Sequence, residues 1–495
     1  MQLRPLAALF ARLSAPGARG LLGVALIFLA AGSLNLWSMP LLEPNDESRH
    51  MGYAMALAEG RIPHVLESID LTQTKLGYLR GTNIQAAAAH PPLYHGLVAL
   101  PLKAAADHDE IAWGILFARA LSLTFGLFSV LYAHRLVRLL LPQRPDLALA
   151  SVAIVACFPV YVASSSIAYG DSLGALAFIA TLASCADVAV NGMSLRRYAI
   201  ACAWFGAATL TRLPVMVSAT PALLLLGVPR YLETSGSPVR RLLRAFLPVL
   251  GAGLVGAAAG GWFYALNIMR YGDPSATSAL LTRLERQPIP IIDIILSRDW
   301  QRLFEYQWAA IVGMVRKNTL ATHFSRTLLY LAALGGVVQL VRFVRRRQKG
   351  AQAKPADAAA TEVRVARWVA AACVLVYVIL LFVFRARGGL MTARYAMPFA
   401  WAIGLGLAAA LAWPRRPSQL QAVLAALVGF LFLTIEQYQP DAYLAFGDMR
   451  LELALAKQGI KYADTFVFGH IAVLVVGALF VLQAVGATYR GAGDR

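Results

Sequence analysis

The chain has 495 residues, 59% of them hydrophobic and only 14% charged, whereas a soluble domain is roughly 45–50% apolar and about 25% charged; a soluble enzyme is excluded. The apolar residues run in long blocks without period-two alternation, which excludes an outer-membrane barrel and leaves helices, the spanning element that satisfies its own backbone in lipid. Lys plus Arg number 45 against 26 Asp plus Glu, a net charge of +19; in a membrane chain this excess suits cytoplasmic loops, anionic headgroups and phosphates, and no nucleic-acid partner is inferred.

The expected fold class is all-α: a polytopic membrane protein of about 12 transmembrane helices, each of roughly 17–25 residues, with amphipathic helices in the first external loop. Spans are read near 20–37, 112–133, 147–167, 171–190, 198–212, 214–229, 245–267, 326–344, 367–384, 395–413, 418–434 and 468–487. The first run, Leu21–Leu36, lacks a small-x-small cleavage site in a suitable position and reads as a signal anchor. Residues 1–19 then form a cytoplasmic N-terminus. A transmembrane core follows over 20–413, including an external loop at 38–111. Residues 414–495 add C-terminal helices and an external loop at 435–467.

Arginines orient the spans. Arg4, Arg12 and Arg19 precede the first, Arg135, Arg138 and Arg144 follow the second, and Arg196 and Arg197 follow the fourth. Arg230, Arg240, Arg241 and Arg244 follow the sixth, Arg342 to Arg367 form the densest group, and Arg415 and Arg416 follow the tenth. All fall on one side if both termini are cytoplasmic, as the positive-inside rule requires. The other side, the periplasm or exterior of a bacterium, then holds 38–111, 268–325 and 435–467, each partly helical and amphipathic and none a large soluble domain. Gly350–Thr361 is Ala-rich and reads as a disordered cytoplasmic linker. Cys157, Cys185, Cys202 and Cys373 sit inside apolar runs with no metal spacing and read as small core residues. Only 32 residues, Tyr198 to Pro229, separate Arg197 from Arg230. Two full spans do not fit there, and Leu210-Thr211-Arg212-Leu213-Pro214 breaks the run. A short helical pair is expected, with Arg212 in a protein cavity.

Chemistry gathers at the external ends. After the first span comes Glu43-Pro44-Asn45-Asp46-Glu47-Ser48-Arg49-His50, with Asn45 a good N-cap for a helix from Asp46 to Ala58. On that helix Asp46, His50 and Tyr53 share a face, with Glu47 beside them. The run is either a reactive carboxylate pair or a helix start favoured by the macrodipole. His90-Pro91-Pro92-Leu93-Tyr94 opens an amphipathic helix over Leu93–Ala106, and its His90 and Tyr94 either line the cavity of Asp46 or start a surface helix. Arg385, Arg387 and Arg394 break the positive-inside pattern. They either receive phosphate or snorkel at the interface. Arg212 is a functional residue or the partner of Asp171 in a structural ion pair. Asn267-Ile268-Met269-Arg270-Tyr271-Gly272-Asp273-Pro274 ends a span in a turn, where Asn267 or Asp273 is a further candidate for substrate contact.

This ordered series resembles the GT-C superfamily of membrane glycosyltransferases, in particular the protein mannosyltransferase and lipid A aminoarabinose transferase group. The matching positions are Asp46-Glu47, Tyr53 to Gly60-Arg61, His90-Pro91-Pro92-Leu93-Tyr94, Arg119-Ala120-Leu121-Ser122 with Gly126, and Asp171. They continue with Leu210-Thr211-Arg212, Tyr271-Gly272-Asp273-Pro274, and Arg394-Tyr395 with Pro398. Order and topology agree over about residues 20–410. The resemblance implies an enzyme, a hexosyl- or pentosyltransferase that moves a sugar from a polyprenyl-phosphate carrier to an envelope acceptor on the external face of a bacterial inner membrane, with inversion. It implies Asp46 as base with Glu47 as neighbour, and Arg212 and Arg394 as basic groups for the departing phosphate, whose charge grows in the transition state. His50, His90, Tyr94 and Tyr395 complete the substrate-binding set, and Arg385 and Arg387 join it from topology alone. The acceptor is a glycan, a lipid or a protein. Asp46, Glu47 and His50 are residue types that hold a divalent metal, but their spacing does not specify a metal site. Two other functions compete. One is a secondary transporter or lipid-linked sugar flippase, which would show two related halves, and no motif has a second copy. The other is a noncatalytic assembly subunit, for which Asp46 would tolerate change.

Overall fold

The computed structural model describes residues 16–38, 46–68, 84–297, 358–411 and 464–493, with 42, 337, 421, 424, 425, 427 and 428 besides. Glu43, Pro44 and Asn45, nearly all of the span read at 326–344, most of that at 418–434, most of the linker and nearly all of the loop at 435–467 lie outside them. Among the described residues the chain is entirely helical. Seven of the described helices are long and apolar enough to cross a membrane, or eight if one bent pair is counted as a span. The protein is a multi-pass membrane protein.

Helix α1 (Pro16–Ser38) enters the membrane, and α2 (Glu47–Ala58) and α3 (Leu93–Asp107) form the first loop. Two spans follow: α4 (Ile111–Leu140), then the pair α5 (Pro145–Ala156) and α6 (Pro159–Ser165). That pair is bent by 67°, at the point where Pro159 removes a backbone donor and keeps Phe158 extended. Helix α7 (Asp171–Asn191) is the axis of the molecule, 94% buried over its spanning window. It packs on α4, on α8 (Leu195–Thr209) and on α10 (Leu224–Glu233). Its small residues allow this approach from all sides, since backbones close in where side chains are short.

The crowded stretch after Arg197 is broken as its sequence requires. Helix α8 ends at Thr209, and a new helix, α9 (Leu213–Ala219), starts with Pro214 in its first turn. A 3-10 turn (Thr220–Leu223) leads on to α10. The 34-residue α11 (Pro238–Tyr271) packs one stripe on α8 and α10. Only 11% of its spanning window is buried among the described residues. It stops at Gly272, whose φ of 68° is the left-handed cap that glycine adopts without strain. Two short helices, α12 (Thr277–Arg283) and α13 (Ile291–Leu296), lie beyond it.

Helix α14 (Ala358–Ala386) packs along α7 and α9. The span read at 395–413 begins as a 3-10 turn over Ala393–Phe399 and continues as α15 (Ala400–Leu411), as far as the described residues run. Helix α16 (Asp464–Gly493) lies along α1. All four cysteines are free and buried.

Candidate active site

The two adjacent acids after α1 have separate fates. Helix α2 begins at Glu47, one residue later than expected. Asp46 takes the cap position without a side-chain cap bond, because its carboxylate is drawn to arginines instead. Glu47 is fully buried. Its carboxylate accepts from Arg119 Nε at 2.8 Å and Nη2 at 2.7 Å, from Ala168 N at 2.8 Å and from Leu42 N at 2.8 Å. Arg119, also fully buried, gives a further bond from Nη1 to Leu36 O at 3.0 Å. A bidentate pair in a dry interior survives only when its remaining lone pairs and protons are matched, and here they are. Helix α4 carries the pair close to α6, where a Cβ on Gly126 would collide with Ser165.

Asp46 faces a different group. Arg49 Nη1 donates to its Oδ1 at 2.6 Å, and Arg394 Nη2 to its Oδ2 at 2.6 Å. Its side chain keeps 26% exposure, against none for Glu47. Arg394 stands in the 3-10 turn before α15, with its guanidinium 4.8 Å above the ring of Tyr169. The Tyr169 hydroxyl accepts from Asp46 N at 3.3 Å. Arg394 Nε lies 3.6 Å from Oδ2 of Asp171, and Asp171 is paired with Arg212. Arg212 occupies the break between α8 and α9 in extended backbone, φ −150° and ψ 143°. Three guanidiniums thus face two carboxylates, leaving one positive charge in excess. Arg394 Nη1 is buried with no hydrogen-bond partner among the described residues. Burial pushes the Asp46 carboxyl up, but Arg394, Arg49 and Arg212 outweigh it and hold it below the ordinary carboxylate value.

Behind Asp46 lies an aromatic floor. His50 Nδ1 and His95 Nε2 share a hydrogen bond of 2.8 Å, their rings nearly parallel. One nitrogen donates and the other accepts, so two neutral imidazoles suffice. Burial, then neighbouring imidazoles and guanidiniums, keeps His50 and His90 well below their ordinary value, and burial takes His95 down to about 3. Tyr53 donates to His90 O at 3.2 Å.

Several expected site residues lie elsewhere. Tyr94 does not face Asp46; its hydroxyl shares a 2.8 Å bond with Ser122 Oγ and donates to Ala118 O at 3.1 Å. Arg385 donates to Gly389 O at 3.1 Å, and Arg387 lines a separate cavity of about 800 Å³ with Arg286 between α12, α13 and α14. Tyr395 flanks Arg394, 5.6 Å from its guanidinium to the ring centre. Asn267 Nδ2 donates to Ala89 O and Pro274 O, while Asp273 accepts from Ser275 and Ser278, so both hold the turn. Asp46, Glu47 and His50 point to different partners, and among the described residues no group of three His, Cys, Asp or Glu is arranged to hold a metal ion. Arg49, Tyr169 and His95 were not singled out by the sequence. His95 directly follows the His90–Tyr94 motif, which was its one visible signal.

The dolichyl-phosphate-mannose-protein mannosyltransferase family matches residues 89–260, roughly a third of the chain. No curated protein matches the sequence. Among solved structures, ArnT from Cupriavidus metallidurans bound to undecaprenyl phosphate is 17% identical with a TM-score of 0.47, over 95% of this chain and 77% of that one. An oligosaccharyltransferase from Archaeoglobus fulgidus in the apo form is 15% identical with a TM-score of 0.42, over 96% of this chain and 56% of that one. The same organism's AglB, in complex with an inhibitory peptide and a dolichol-phosphate, is 14% identical with a TM-score of 0.42, and this chain spans 56% of its length. The family match falls on the motifs from His90-Pro91-Pro92 through Arg212, and in these the chain is similar to the dolichyl-phosphate-mannose-protein mannosyltransferase family.

Proposed function

We propose that the protein is a glycosyltransferase that moves a hexosyl or pentosyl group from a polyprenyl-phosphate carrier to an envelope acceptor. The observation that carries this reading is the Asp46–Arg394–Asp171–Arg212 chain of contacts, an exposed-edge carboxylate set against guanidiniums with positive charge to spare. In the proposed reaction an acceptor hydroxyl attacks the anomeric carbon and passes its proton to Asp46. The bond from that carbon to the carrier phosphate oxygen breaks, and the phosphate leaves with the electron pair. Arg394 and Arg212 stabilise the charge that grows there, with Arg394 Nη1 ready to donate. Glu47, tied to Arg119, leaves Asp46 as the member of the pair able to take a proton, and a single displacement inverts the anomeric centre.

The carrier is proposed to lie along α14, with its tail against the apolar wall of the cavity that Arg286 and Arg387 line. The match to a family described as using dolichyl-phosphate mannose supports a lipid-linked donor. The arginine pattern of the loops supports a bacterial inner membrane with both termini cytoplasmic and Asp46 external. The full count of about 12 spans is part of this proposal. Labelling a single cysteine at position 46 from outside the cell tests the sidedness, and labelling only from the cytoplasm would contradict it. Transfer from a polyprenyl-phosphate sugar by the purified protein tests the reaction. The proposal predicts product with the opposite anomeric configuration and transfer by Asp46→Asn lowered about 10²–10⁴-fold; a retained configuration, or transfer by the variant at the native rate, would overturn it.

A further inference from the structure

Helix α7 carries an acid near each end. Asp171 opens it in the cluster above, and Asp187 lies about 24 Å further along its axis at 1.5 Å per residue. Around Asp187 the ends of α4, α7 and α8 enclose a cavity of about 470 Å³ lined by Arg135, Ser184, Asp187, Ser194, Arg196 and Arg197. The arrangement inside is ordered. Arg135 Nη2 donates to Asp187 Oδ2 at 2.8 Å, Asn191 Nδ2 donates to Oδ1 at 2.7 Å, and Arg197 Nε stands 3.5 Å from Oδ2. Asp187 is therefore satisfied, and it holds two guanidiniums at the wall. Three arginines against one aspartate leave an excess of positive charge that no described group on these helix ends neutralises.

Two further features point the same way. Ser194 caps α8, its hydroxyl accepting from Arg197 N at 3.3 Å, so the positive end of a 15-residue helix opens on the cavity. Ser184 lies on the α7 wall, 3% exposed, and its hydroxyl has no hydrogen-bond partner among the described residues. A buried hydroxyl left unpaired in a spanning helix is unfavourable unless something reaches it. A cation is excluded by the charge, and an apolar ligand would leave the hydroxyl and the guanidiniums unmatched. Planar guanidinium forks, a helix N-terminus and a hydroxyl donor are the groups that receive a tetrahedral oxyanion.

We propose that this cavity binds a phosphate group at the membrane face opposite the candidate active site. The phosphate belongs either to the headgroup of an anionic lipid or to a free phosphate ion. Bound there, it ties together the ends of α4, α7 and α8, the helices that carry Arg119, lead from Asp171 and lead to Arg212.

Thermal unfolding of the full-length protein in nanodiscs of phosphatidylcholine tests this. One arm adds inorganic phosphate against chloride of equal ionic strength, and the other replaces part of the lipid with phosphatidic acid. A rise in Tm of several degrees is expected in at least one arm. A rise with phosphatidic acid alone assigns the headgroup, and a rise with inorganic phosphate assigns the free ion. Ser184→Ala should weaken the response about tenfold in ligand concentration, the worth of a hydrogen bond to a charged group, and Arg196→Glu should remove it. Neither change breaks a described side-chain bond, so the unliganded Tm should stay near that of the native protein. No rise in either arm, or a rise unchanged in both variants, would overturn the proposal.

Discussion

Asp46 and Glu47 are neighbours in sequence and opposites in surroundings. Every acceptor direction of Glu47 is filled by a buried arginine or a backbone N–H, and no water reaches it. Asp46 is held by two arginines, keeps an exposed edge, and shares one of those arginines with a second carboxylate. Saturated bonding makes a rigid anchor and forecloses proton transfer. Incomplete bonding leaves Asp46 a free acceptor direction for an attacking hydroxyl, and the excess positive charge beside it suits a leaving phosphate. Backbone conformation helps separate them: Asp46, with φ −115° and ψ 8°, caps the helix that Glu47 opens and is not part of it.

The largest expected effect is on turnover. Asp46→Asn should lower kcat by about 10²–10⁴-fold, the usual worth of a positioned base, and should lower the unfolding temperature less than Glu47→Gln does, because Asp171 still faces Arg394 and Arg212. Arg394→Ala should cost about 10²–10³-fold in kcat/KM by removing charge from the leaving phosphate. It should also weaken binding of the polyprenyl phosphate, measured directly with the free carrier; unchanged affinity would deny the phosphate role. Glu47→Gln should instead act on stability, costing about 3–5 kcal/mol because Arg119 is left buried and unpaired. Denaturation in detergent checks this, and replacing both Glu47 and Arg119 with Met should be milder than either change alone.

The pH dependence separates the acids from the histidines. The proton leaves Asp46 below its ordinary value of 3.8, so its ionised form, and the stability its arginines give it, persist above that value. Both are lost only as pH falls through the lowered one. Activity should therefore show no acid limb from Asp46 between pH 5 and 8. The buried neutral His50, His90 and His95 behave oppositely to a histidine gaining a partner: their folded values are depressed, so the unfolded chain takes up protons first. Stability should be level above pH 6.5 and fall below it, by about 1.4 kcal/mol per pH unit for each histidine. His95→Phe should flatten that fall with the smallest effect of the series on turnover.

Much of this was legible in the chain. Unbroken apolar runs mark α1, α4, α7, α11 and α14, because lipid demands length and hydrophobicity together. The break before Arg212 follows from too few residues for two spans, and its pairing with Asp171 was one of two readings open in sequence. Two things were not legible. Glu47 finds a partner 72 residues away on α4, and no local spacing encodes that contact. Arg385 and Arg387 share charge and loop with Arg394, yet the end of α14 turns them toward Gly389 and the α12–α13 cavity. Charge sign reads from sequence, while direction is set by the helix that carries it.

The central claim is the division of labour between two adjacent acids, and measuring kcat and unfolding temperature side by side for Asp46→Asn and Glu47→Gln tests it most directly. The account predicts that Asp46→Asn loses transfer from a polyprenyl-phosphate sugar with only a small fall in unfolding temperature, while Glu47→Gln unfolds at a much lower temperature and retains turnover in the fraction that stays folded. Near-native turnover by Asp46→Asn would contradict it.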